Sequence, residues 1–381
     1  MGFSGVSKKR KTAVMYGAGN IGRGFIGQVF NDSGYEVVFI DINQEVINAL
    51  NKRNSYIQRI IEGDTIINRE IIGVRAVDGR DRDAVTLEIA NCDIMAVSVG
   101  AAVLPHIAPC LADGIMRRVQ PLNILICENL AHAPDVLKGY ISEHLSDLNK
   151  LKEVAFVGAT IGRMVPVMPP QQRADDPTVI AVEQFCTLPI DGDAVIHPIP
   201  ELMHAILCSP FAFEEGKKLY IHNMGHALAA YFGFQRGYVF IWQAIEDEDV
   251  CIKVHAAMTS CAEALARKYN EDRNKLSAYV NDLLTRFSNK GLGDTIARVG
   301  GDPQRKLAPG DRLIGAIDLC CEQDTDYTPI LSGIAAALKF DAPEDPSASL
   351  LREQLSVYGI MSYLRERCGL SEADATKIVT M

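Results

Sequence analysis

The stretch that decides the fold of this chain is Thr12-Ala-Val-Met-Tyr16, followed at once by Gly17-Ala-Gly-Asn-Ile-Gly-Arg-Gly24. The first part predicts a short buried strand, and the apolar run Phe25–Phe30 predicts a helix after the glycines. A Gly-x-Gly-x-x-Gly turn between strand and helix brings backbone N–H groups close to a pyrophosphate at the helix N-terminus. The predicted cofactor contacts in this turn are Gly17, Ala18, Gly19, Asn20, Ile21, Gly22 and Arg23.

A second strand, Glu36–Ile40, is predicted after this helix, and Asp41 ends it. A carboxylate about 20 residues past the glycines hydrogen-bonds the ribose 2′-hydroxyl of NAD and repels the 2′-phosphate of NADP. No arginine follows Asp41 in the next few positions to favour NADP. We therefore predict NAD as the cofactor, with Asp41 among its contacts.

Strands and helices alternate from here to about residue 190, a pattern typical of a doubly wound α/β domain. A helix is predicted at Glu45–Arg53. Strand-like segments are predicted at Tyr56–Ile61, Ile71–Val77, Asp93–Val99 and Leu122–Cys127. Ligands of such sheets bind beyond the carboxyl ends of the strands. Glu128 and Asn129, which follow the last of these strands, are therefore candidate site residues, although polar residues at strand ends also serve as helix caps.

The second half of the chain changes character, and helix-length apolar patterns replace the strands. They are predicted at Glu201–Leu207, Phe213–Gly233, Val239–Ile245, Asp249–Lys268, Arg273–Phe287 and Ser347–Cys368. We predict a Rossmann-type domain over residues 1–195 and an all-helical domain, carrying the substrate site, over residues 196–381.

Composition excludes several classes of function. The 48 acidic residues outnumber the 38 basic ones, giving a net charge of −10, which argues against nucleic acid as a partner. No apolar run approaches the roughly 20 residues that span a bilayer, so we expect no membrane association. Ten cysteines without any Cys-x-x-Cys indicate a reducing, cytoplasmic setting, and the histidines show no metal-ligand spacing. The expected partner is a small-molecule substrate, and no metal is expected.

Three polar residues share one face of an otherwise apolar helix. Lys218, Asn223 and His226 fall within an arc of roughly 140° at about 100° per residue. Burying an unpaired polar group costs about 1–3 kcal/mol, so these three should face a partner or a cavity. The alternative is a set of satisfied packing contacts. Desolvation by the apolar helix would lower the pKa of Lys218, and either the neighbouring Lys217 or a bound cofactor would add a second lowering influence.

Two short basic clusters follow in the helical half. They comprise Arg298, Arg305, Lys306 and Arg312. A solvated surface is the simple interpretation of such clusters, because lysine and arginine are rarely buried. They are also the groups that a phosphorylated substrate would need.

Several of these motifs together resemble the polyol-specific long-chain dehydrogenase/reductase family. They are the glycine-rich turn, Cys127-Glu-Asn129, Lys-x4-Asn-x2-His, Arg298-Val-Gly, Arg305-Lys-Leu and Gly310-Asp-Arg-Leu-Ile314, in order along nearly the whole chain. The resemblance implies metal-independent hydride transfer between NAD and C5 of mannitol 1-phosphate, giving fructose 6-phosphate. It implies that Lys218 is the general base, that Asn129 and Asn223 polarise the reacting oxygen, and that His226 holds substrate. It also implies that Glu128 belongs to the cofactor site.

One segment departs from the family pattern. The family carries Val-Asp-Arg followed closely by Pro, whereas this chain reads Ile161-Gly162-Arg163-Met-Val-Pro166. Glycine thus replaces a carboxylate that supports the active site. Two alternatives therefore stay open: a related dehydrogenase acting on another sugar or polyol phosphate or sugar acid, and an NAD-binding sensor that has lost catalytic power.

Overall fold

The computed structural model describes residues 10–63, 65–166, 168, 176–198 and 201–381. The chain divides into two compact units, Met1–Phe211 and Ala212–Met381. The division falls later than the predicted one at residue 195, because strand Ala205–Cys208 pairs with Leu188–Asp191 and so stays with the first unit.

A six-stranded parallel sheet forms the centre of the first unit. Its strands are β1 (Thr12–Tyr16), β2 (Glu36–Asp41), β5 (Val74–Asp78), β6 (Ile94–Val97), β7 (Leu122–Ile126) and β8 (Val154–Gly158). Their spatial order is β5-β2-β1-β6-β7-β8. Strands β2 and β5 are added on one side of β1, and strands β6 to β8 are added on its other side, so the order of the strands switches between β1 and β6. This is the Rossmann order, and it confirms the predicted doubly wound domain.

Alternate residues of these strands are buried on opposite faces of the sheet. In β1, Ala13 and Met15 belong to one hydrophobic core, whereas Val14 and Tyr16 belong to the other. A π-helical turn, Gly22–Ile26, leads into the first of the five α-helices found among the described residues before Phe211. They are α1 (Gly27–Asp32), α2 (Gln44–Arg53), α3 (Arg82–Asn91), α4 (Leu104–Arg117) and α5 (Ala133–Ser142). The continuous apolar character of the strands follows from burial on both faces.

Two smaller sheets complete the described part of the first unit. Antiparallel β3 (Ser55–Glu62) and β4 (Thr65–Ile72) are joined by β9 (Ile180–Glu183), which runs parallel to β3. Strands β10 (Leu188–Asp191) and β11 (Ala205–Cys208) form a parallel pair. The prediction of a helix at Glu201–Leu207 was wrong, because this short apolar run finds backbone partners in β10.

The second unit is helical, as predicted. Its α-helices are α6 (Phe211–Gly216), α7 (Met224–Gln235), α8 (Ile241–Glu246), α9 (Glu248–Tyr269), α10 (Arg273–Phe287), α11 (Ile296–Gly300), α12 (Pro303–Lys306), α13 (Ile314–Glu322), α14 (Thr328–Ala337), α15 (Pro346–Tyr358), α16 (Ile360–Ser362) and α17 (Glu372–Thr380). The predicted helix Ser347–Cys368 is interrupted at Gly359, whose φ of +75° suits glycine.

Helix α7 lies at the centre of this unit. It packs against α8, α9, α11 and α14. Its residues from Ala227 to Tyr231 are almost completely buried. A helix that is apolar all round belongs in a core, and this one carries the predicted catalytic face at its N-terminal end.

Candidate active site

The glycine-rich turn has the geometry of a dinucleotide-binding loop. Gly17 has a φ of +103°, and a Cβ there would lie 2.2 Å from the carbonyl oxygen of Ser98. A Cβ on Gly22 would lie 1.9 Å from the Gly17 carbonyl oxygen, whereas one on Gly19 would meet nothing within 4 Å. Two glycines therefore permit the turn itself, and the third leaves open space where a pyrophosphate approaches the backbone.

The side chain of Arg23 is buried and contacts two backbone carbonyls. Its Nε donates to the Ala18 carbonyl at 2.5 Å, and its Nη1 donates to the Thr178 carbonyl at 2.5 Å. The guanidinium thus supplies donors to buried carbonyl oxygens and ties the turn to the segment before β9. The contact of Arg23 with the cofactor stays a prediction.

Asp41 lies at the carboxyl end of β2, beside the turn. Its Oδ2 accepts from the Ala18 N–H at 2.7 Å, and its Oδ1 accepts from Ile42 at 2.8 Å and Asn43 at 2.9 Å. A carboxylate has further lone pairs, so Asp41 keeps the capacity to accept from a ribose hydroxyl.

An arginine distant in sequence lies close to Asp41 in space. Arg80, after β5, donates to the Ile42 carbonyl at 3.1 Å, and its Nε donates to Asp78 at 2.9 Å. The sequence showed no cation here because β5 neighbours β2 only in the folded sheet. Since Arg80 is paired with Asp78, its charge is already balanced.

Glu128 follows β7 at the same edge of the sheet, and its side chain contacts the backbone that follows β6. Its Oε1 accepts from the N–H of Val99 at 2.7 Å and from that of Gly100 at 3.1 Å. Burial raises the pKa of Glu128, although the two backbone N–H groups oppose the rise. The structure thus gives Glu128 an anchoring role, while Asn129 beside it is exposed.

The predicted catalytic residues of the second unit lie on one continuous helical rod, Phe211–Gln235. Its middle, Lys217–Asn223, is π-helical rather than α-helical. Hydrogen bonds of a π-helix join residues five apart, which is the separation of Lys218 and Asn223, so the two lie nearer to one face than α-helical geometry predicts. His226 follows on the first turn of α7.

Lys217 and Lys218 have different surroundings. The ammonium of Lys217 donates to Glu214 at 2.7 Å and lies over the rings of Phe213 and Tyr279. Its charge is therefore compensated on the side of Glu214. The expectation that Lys217 lowers the pKa of Lys218 stays a prediction.

Two buried imidazoles stand beside Lys218. His226 stacks on Phe287 with ring centroids 4.6 Å apart and an interplanar angle of 10°, and His222 contacts the same ring at 5.6 Å. Burial lowers the pKa of both imidazoles well below the usual value. Nearby cations lower that of His226 further, in the order Arg298, Lys218, Lys306 and Arg312. Both rings are therefore neutral at physiological pH.

Three of the four predicted phosphate ligands are among these cations that act on His226, namely Arg298, Lys306 and Arg312. Arg298 pairs with Asp294, and the Nε of Arg312 donates to Asp311 at 2.8 Å. Lys306 is only 5% exposed, and no carboxylate of the described residues lies within 4 Å of its ammonium. Burial lowers the pKa of Lys306 to about 7, with contributions from Arg312 and Arg305.

Arg305, the fourth predicted ligand, lies at the edge of the same cluster, with its Nη1 3.5 Å from Oδ2 of Asp311, the partner of Arg312; its contact with a phosphate stays a prediction. It is 43% exposed, and its Nε donates to Asp302 at 2.6 Å. Arg298, Lys306 and Arg312 all lower the pKa of His226. Arg298 is paired with Asp294 and Arg312 with Asp311, whereas the buried ammonium of Lys306 has no carboxylate within 4 Å among the described residues. A buried ammonium without a carboxylate favours an anionic ligand.

Two tyrosines connect the rod to the basic segments. The hydroxyl of Tyr231 donates to the Gly300 carbonyl at 3.1 Å, at the end of the helix that carries Arg298. The hydroxyl of Tyr220 reaches the Gly310 carbonyl at 3.5 Å, two residues before Arg312. Both segments are therefore positioned by the same helical rod that carries Lys218.

Gly162 does not need to be glycine for backbone reasons. Its φ lies outside the left-handed region, and an added Cβ would meet only the Phe185 ring, at 3.1 Å. A larger residue requires this ring to move by a few tenths of an ångström. Arg163 beside it is buried and donates to Gln28 at 2.7 Å and to the Gly24 carbonyl at 3.0 Å.

Within the described ranges, no group of three or more His, Cys, Asp or Glu side chains has an arrangement that could hold a metal ion. No helix among those residues is long and apolar enough to cross a membrane.

The two halves of the sequence match two domains of one protein family. Residues 11–204 match the mannitol dehydrogenase Rossmann domain, and residues 211–368 match the mannitol dehydrogenase C-terminal domain. A mannitol-1-phosphate 5-dehydrogenase from Brevibacillus brevis is 35% identical over 366 residues, covering 94% of this chain and 93% of that protein. One from Geobacillus thermodenitrificans is 34% identical and covers 95% of each chain.

Solved structures show the same architecture. Pseudomonas fluorescens mannitol 2-dehydrogenase, in a ternary complex with NAD and D-mannitol, is similar with a TM-score of 0.77 and 17% identity. The match covers 97% of this chain and 90% of that chain. A D-sorbitol dehydrogenase in substrate-free form also has a TM-score of 0.77, with 16% identity, and the match covers 97% and 92% of the two chains.

Proposed function

This chain belongs to the mannitol dehydrogenase family, and from that membership we propose that it is an NAD-dependent oxidoreductase that interconverts mannitol 1-phosphate and fructose 6-phosphate. The reaction is a metal-independent hydride transfer. The observation that carries the choice of a phosphorylated polyol is the buried ammonium of Lys306, which lies with Arg298 and Arg312 in the surroundings of His226. The relatives from B. brevis and G. thermodenitrificans, which are named for mannitol 1-phosphate, support the same substrate.

The phosphate is bound by the basic residues Arg298, Lys306 and Arg312. Each is within electrostatic range of His226, and two of them are almost completely buried. An arginine donates to a phosphate through two parallel N–H groups, and a lysine acts as a point charge. Unphosphorylated mannitol would leave the buried ammonium of Lys306 without an anion, so the cluster favours the phosphate ester.

The proton of the substrate alcohol passes to the amine of Lys218. NAD, when bound, supplies the hydride acceptor. As the hydroxyl loses its proton to Lys218, Asn223 donates a hydrogen bond to the oxygen, where negative charge develops, and the resemblance to the family assigns the same role to Asn129. The ketone, the reduced cofactor and the Lys218 ammonium are the products of this step. In the reverse direction the ammonium returns the proton to the oxygen.

His226 orients the substrate rather than exchanging protons with it. Burial and the surrounding cations keep its imidazole neutral. A neutral imidazole has one donor and one acceptor nitrogen, which suits it to holding a polyol hydroxyl.

The cofactor site favours NAD over NADP. Asp41 stands at the strand end where the adenine ribose binds in this fold. Arg80, which lies close to Asp41, is paired with Asp78 and so does not offset the repulsion of a 2′-phosphate by Asp41. Both units of the chain thus support the cofactor and substrate that we propose.

One observation favours a second candidate, a dehydrogenase of another sugar or polyol phosphate. Gly162 stands where the family carries an aspartate, and its backbone would accept one. The loss of this carboxylate changes the hydrogen bonds available to a substrate hydroxyl, which alters the discrimination between related polyols.

The proposal is tested with a panel of polyols and polyol phosphates with NAD, measured by nicotinamide absorbance. We expect kcat/KM to be highest for mannitol 1-phosphate and much lower for mannitol. A higher value for another phosphorylated polyol would favour the second candidate. NADH binding without turnover of any compound would indicate a sensor and contradict the proposal.

A further inference from the structure

A buried carboxylate, Asp294, contacts two of the residues that we assign to the substrate. It pairs with Arg298, and its Oδ2 lies 3.5 Å from Nε2 of His226. We propose that Asp294 is a positioning residue, which holds Arg298 in place and sets the tautomer of His226 for substrate binding. This inference rests on the function proposed above and adds a residue to its site.

The backbone of Asp294 is fixed independently of its side chain. Its carbonyl accepts from the Ile241 N–H at 2.9 Å, and the next residue, Thr295, forms a β-bridge with Phe240. Thr295 also caps the short helix that carries Arg298. The carboxylate therefore occupies a position set by two hydrogen-bonded chain segments, so it can serve as an anchor.

Arg298 lies four residues after Asp294, a spacing that places the two side chains together at a helix start. The carboxylate of Asp294 is 7% exposed, whereas the guanidinium of Arg298 is 44% exposed. The buried carboxylate of Asp294 thus binds one end of the guanidinium, and the other N–H groups of Arg298 remain available to an anion. Without Asp294, the flexible arginine would have to lose more rotamer freedom on binding.

Stacking on Phe287 fixes the plane of the His226 ring. The carboxylate of Asp294 then determines which of the two ring nitrogens carries the proton. Nε2 is buried and has no hydrogen-bond partner among the described residues, and the Asp294 carboxylate at 3.5 Å is its nearby acceptor. In a neutral imidazole, a carboxylate favours the proton on the nitrogen that faces it. Nδ1 is then the acceptor and receives a hydrogen bond from a substrate hydroxyl.

The tautomer can be measured without any turnover. In protein labelled with ¹⁵N-histidine, NMR should show His226 with its proton on Nε2, assigned by the loss of its signals in His226→Asn. Asp294→Asn keeps the shape of the side chain but removes its charge, and should change the His226 signals toward the other tautomer. The matched control is Asp374→Asn, because Asp374 is also buried, 8% exposed, and paired with Lys377 away from these residues.

Kinetics test the contact with Arg298. Asp294→Asn should lower kcat/KM for mannitol 1-phosphate roughly tenfold or more, chiefly through KM, with NADH affinity unchanged. In a protein that already carries Arg298→Met, the same substitution should have a smaller effect, because the contact with Arg298 is already absent and only the contact with His226 is lost. Asp374→Asn should leave kcat/KM near that of the unmodified protein.

Some outcomes would overturn the inference. A His226 proton on Nδ1 that Asp294→Asn does not change contradicts the tautomer assignment. Equal losses from Asp294→Asn with and without Arg298 contradict the anchoring role and indicate a structural one. If the unmodified protein turns over no polyol phosphate, the proposed function fails, whereas the NMR measurement still decides the role of Asp294.

Discussion

Lys306 gives the sharpest test of phosphate recognition. Burial and two neighbouring arginines lower its pKa from 10.5 to about 7. A drop of this size means that charging the ammonium costs about 5 kcal/mol more than in water while no anion is bound. A bound phosphate offsets much of this cost, so binding near neutral pH should be accompanied by proton uptake at Lys306.

The sign of the pH dependence follows directly. Lys306 is charged below pH 7 and neutral above it, so only the low-pH form attracts the phosphate. KM for mannitol 1-phosphate should therefore rise as the pH increases from 7 to 9. Below about pH 6 the phosphate itself gains a proton, which weakens its binding and raises KM at low pH. The lowest KM is expected between these two limits.

Lys306→Met retains the aliphatic stem and removes the charge. At pH 6.5 we expect KM for mannitol 1-phosphate to rise roughly 10- to 100-fold, the loss of a hydrogen bond to a charged group. The rise above pH 7 should disappear, and KM for mannitol should change little. Initial rates of NAD reduction at several pH values measure all three effects.

The matched control is Arg305→Met, which alters an exposed neighbour paired with Asp302. It should keep the alkaline rise in KM and move it slightly upward in pH, because one of the cations that lower the pKa of Lys306 is removed. Lys306→Met should melt at or above the temperature of the unmodified protein at pH 6, where the cost of the buried charge is present. An unchanged KM and pH profile in Lys306→Met would refute this account of phosphate binding.

Three further substitutions test the remaining assignments. Lys218→Ala should reduce turnover on the order of 10²–10⁴-fold, with the affinity for NADH, measured by fluorescence, nearly unchanged. Lys217→Ala should keep a turnover close to that of the unmodified protein. Equal turnover in the two variants would make Lys218 a structural residue. Asp41→Ala should narrow the preference for NAD over NADP in kcat/KM. Adding Arg80→Ala should widen it again, since the carboxylate of Asp78 then loses its cation and repels a 2′-phosphate. An unaltered preference would place the discrimination elsewhere. Gly162→Asp should move the alkaline limb of the pH–rate profile to higher pH and increase selectivity for mannitol 1-phosphate, with a normal thermal melt. A normal melt with an unchanged profile and unchanged selectivity would place Gly162 outside the active site.

Much of the architecture could be predicted because apolar periodicity and burial agree in it. Strand Thr12–Tyr16 and helix Arg273–Phe287 have the predicted bounds. The apolar run near Leu207 was assigned wrongly as helix, since a short run carries no periodicity that separates strand from helix. Its pairing with β10 depends on residues brought together only by folding.

The candidate site could be predicted in part. The spacing of Lys218, Asn223 and His226 indicated one helical face, but not the π-helical turn, which depends on hydrogen bonds that spacing does not reveal. The inward orientation of Arg23 depends on carbonyls of a remote segment. Asp294, four residues before Arg298, had a helical spacing that could have drawn attention to it.

The most direct test of the central claim is identification of the product formed from mannitol 1-phosphate and NAD. The purified protein is incubated with both compounds, NADH is measured by absorbance, and the sugar phosphate is identified by NMR. The account predicts fructose 6-phosphate and NADH in equal amounts, because the hydride leaves C5 and the phosphate ester stays intact. Oxidation at another carbon, or NADH formation from mannitol with equal efficiency, would contradict it.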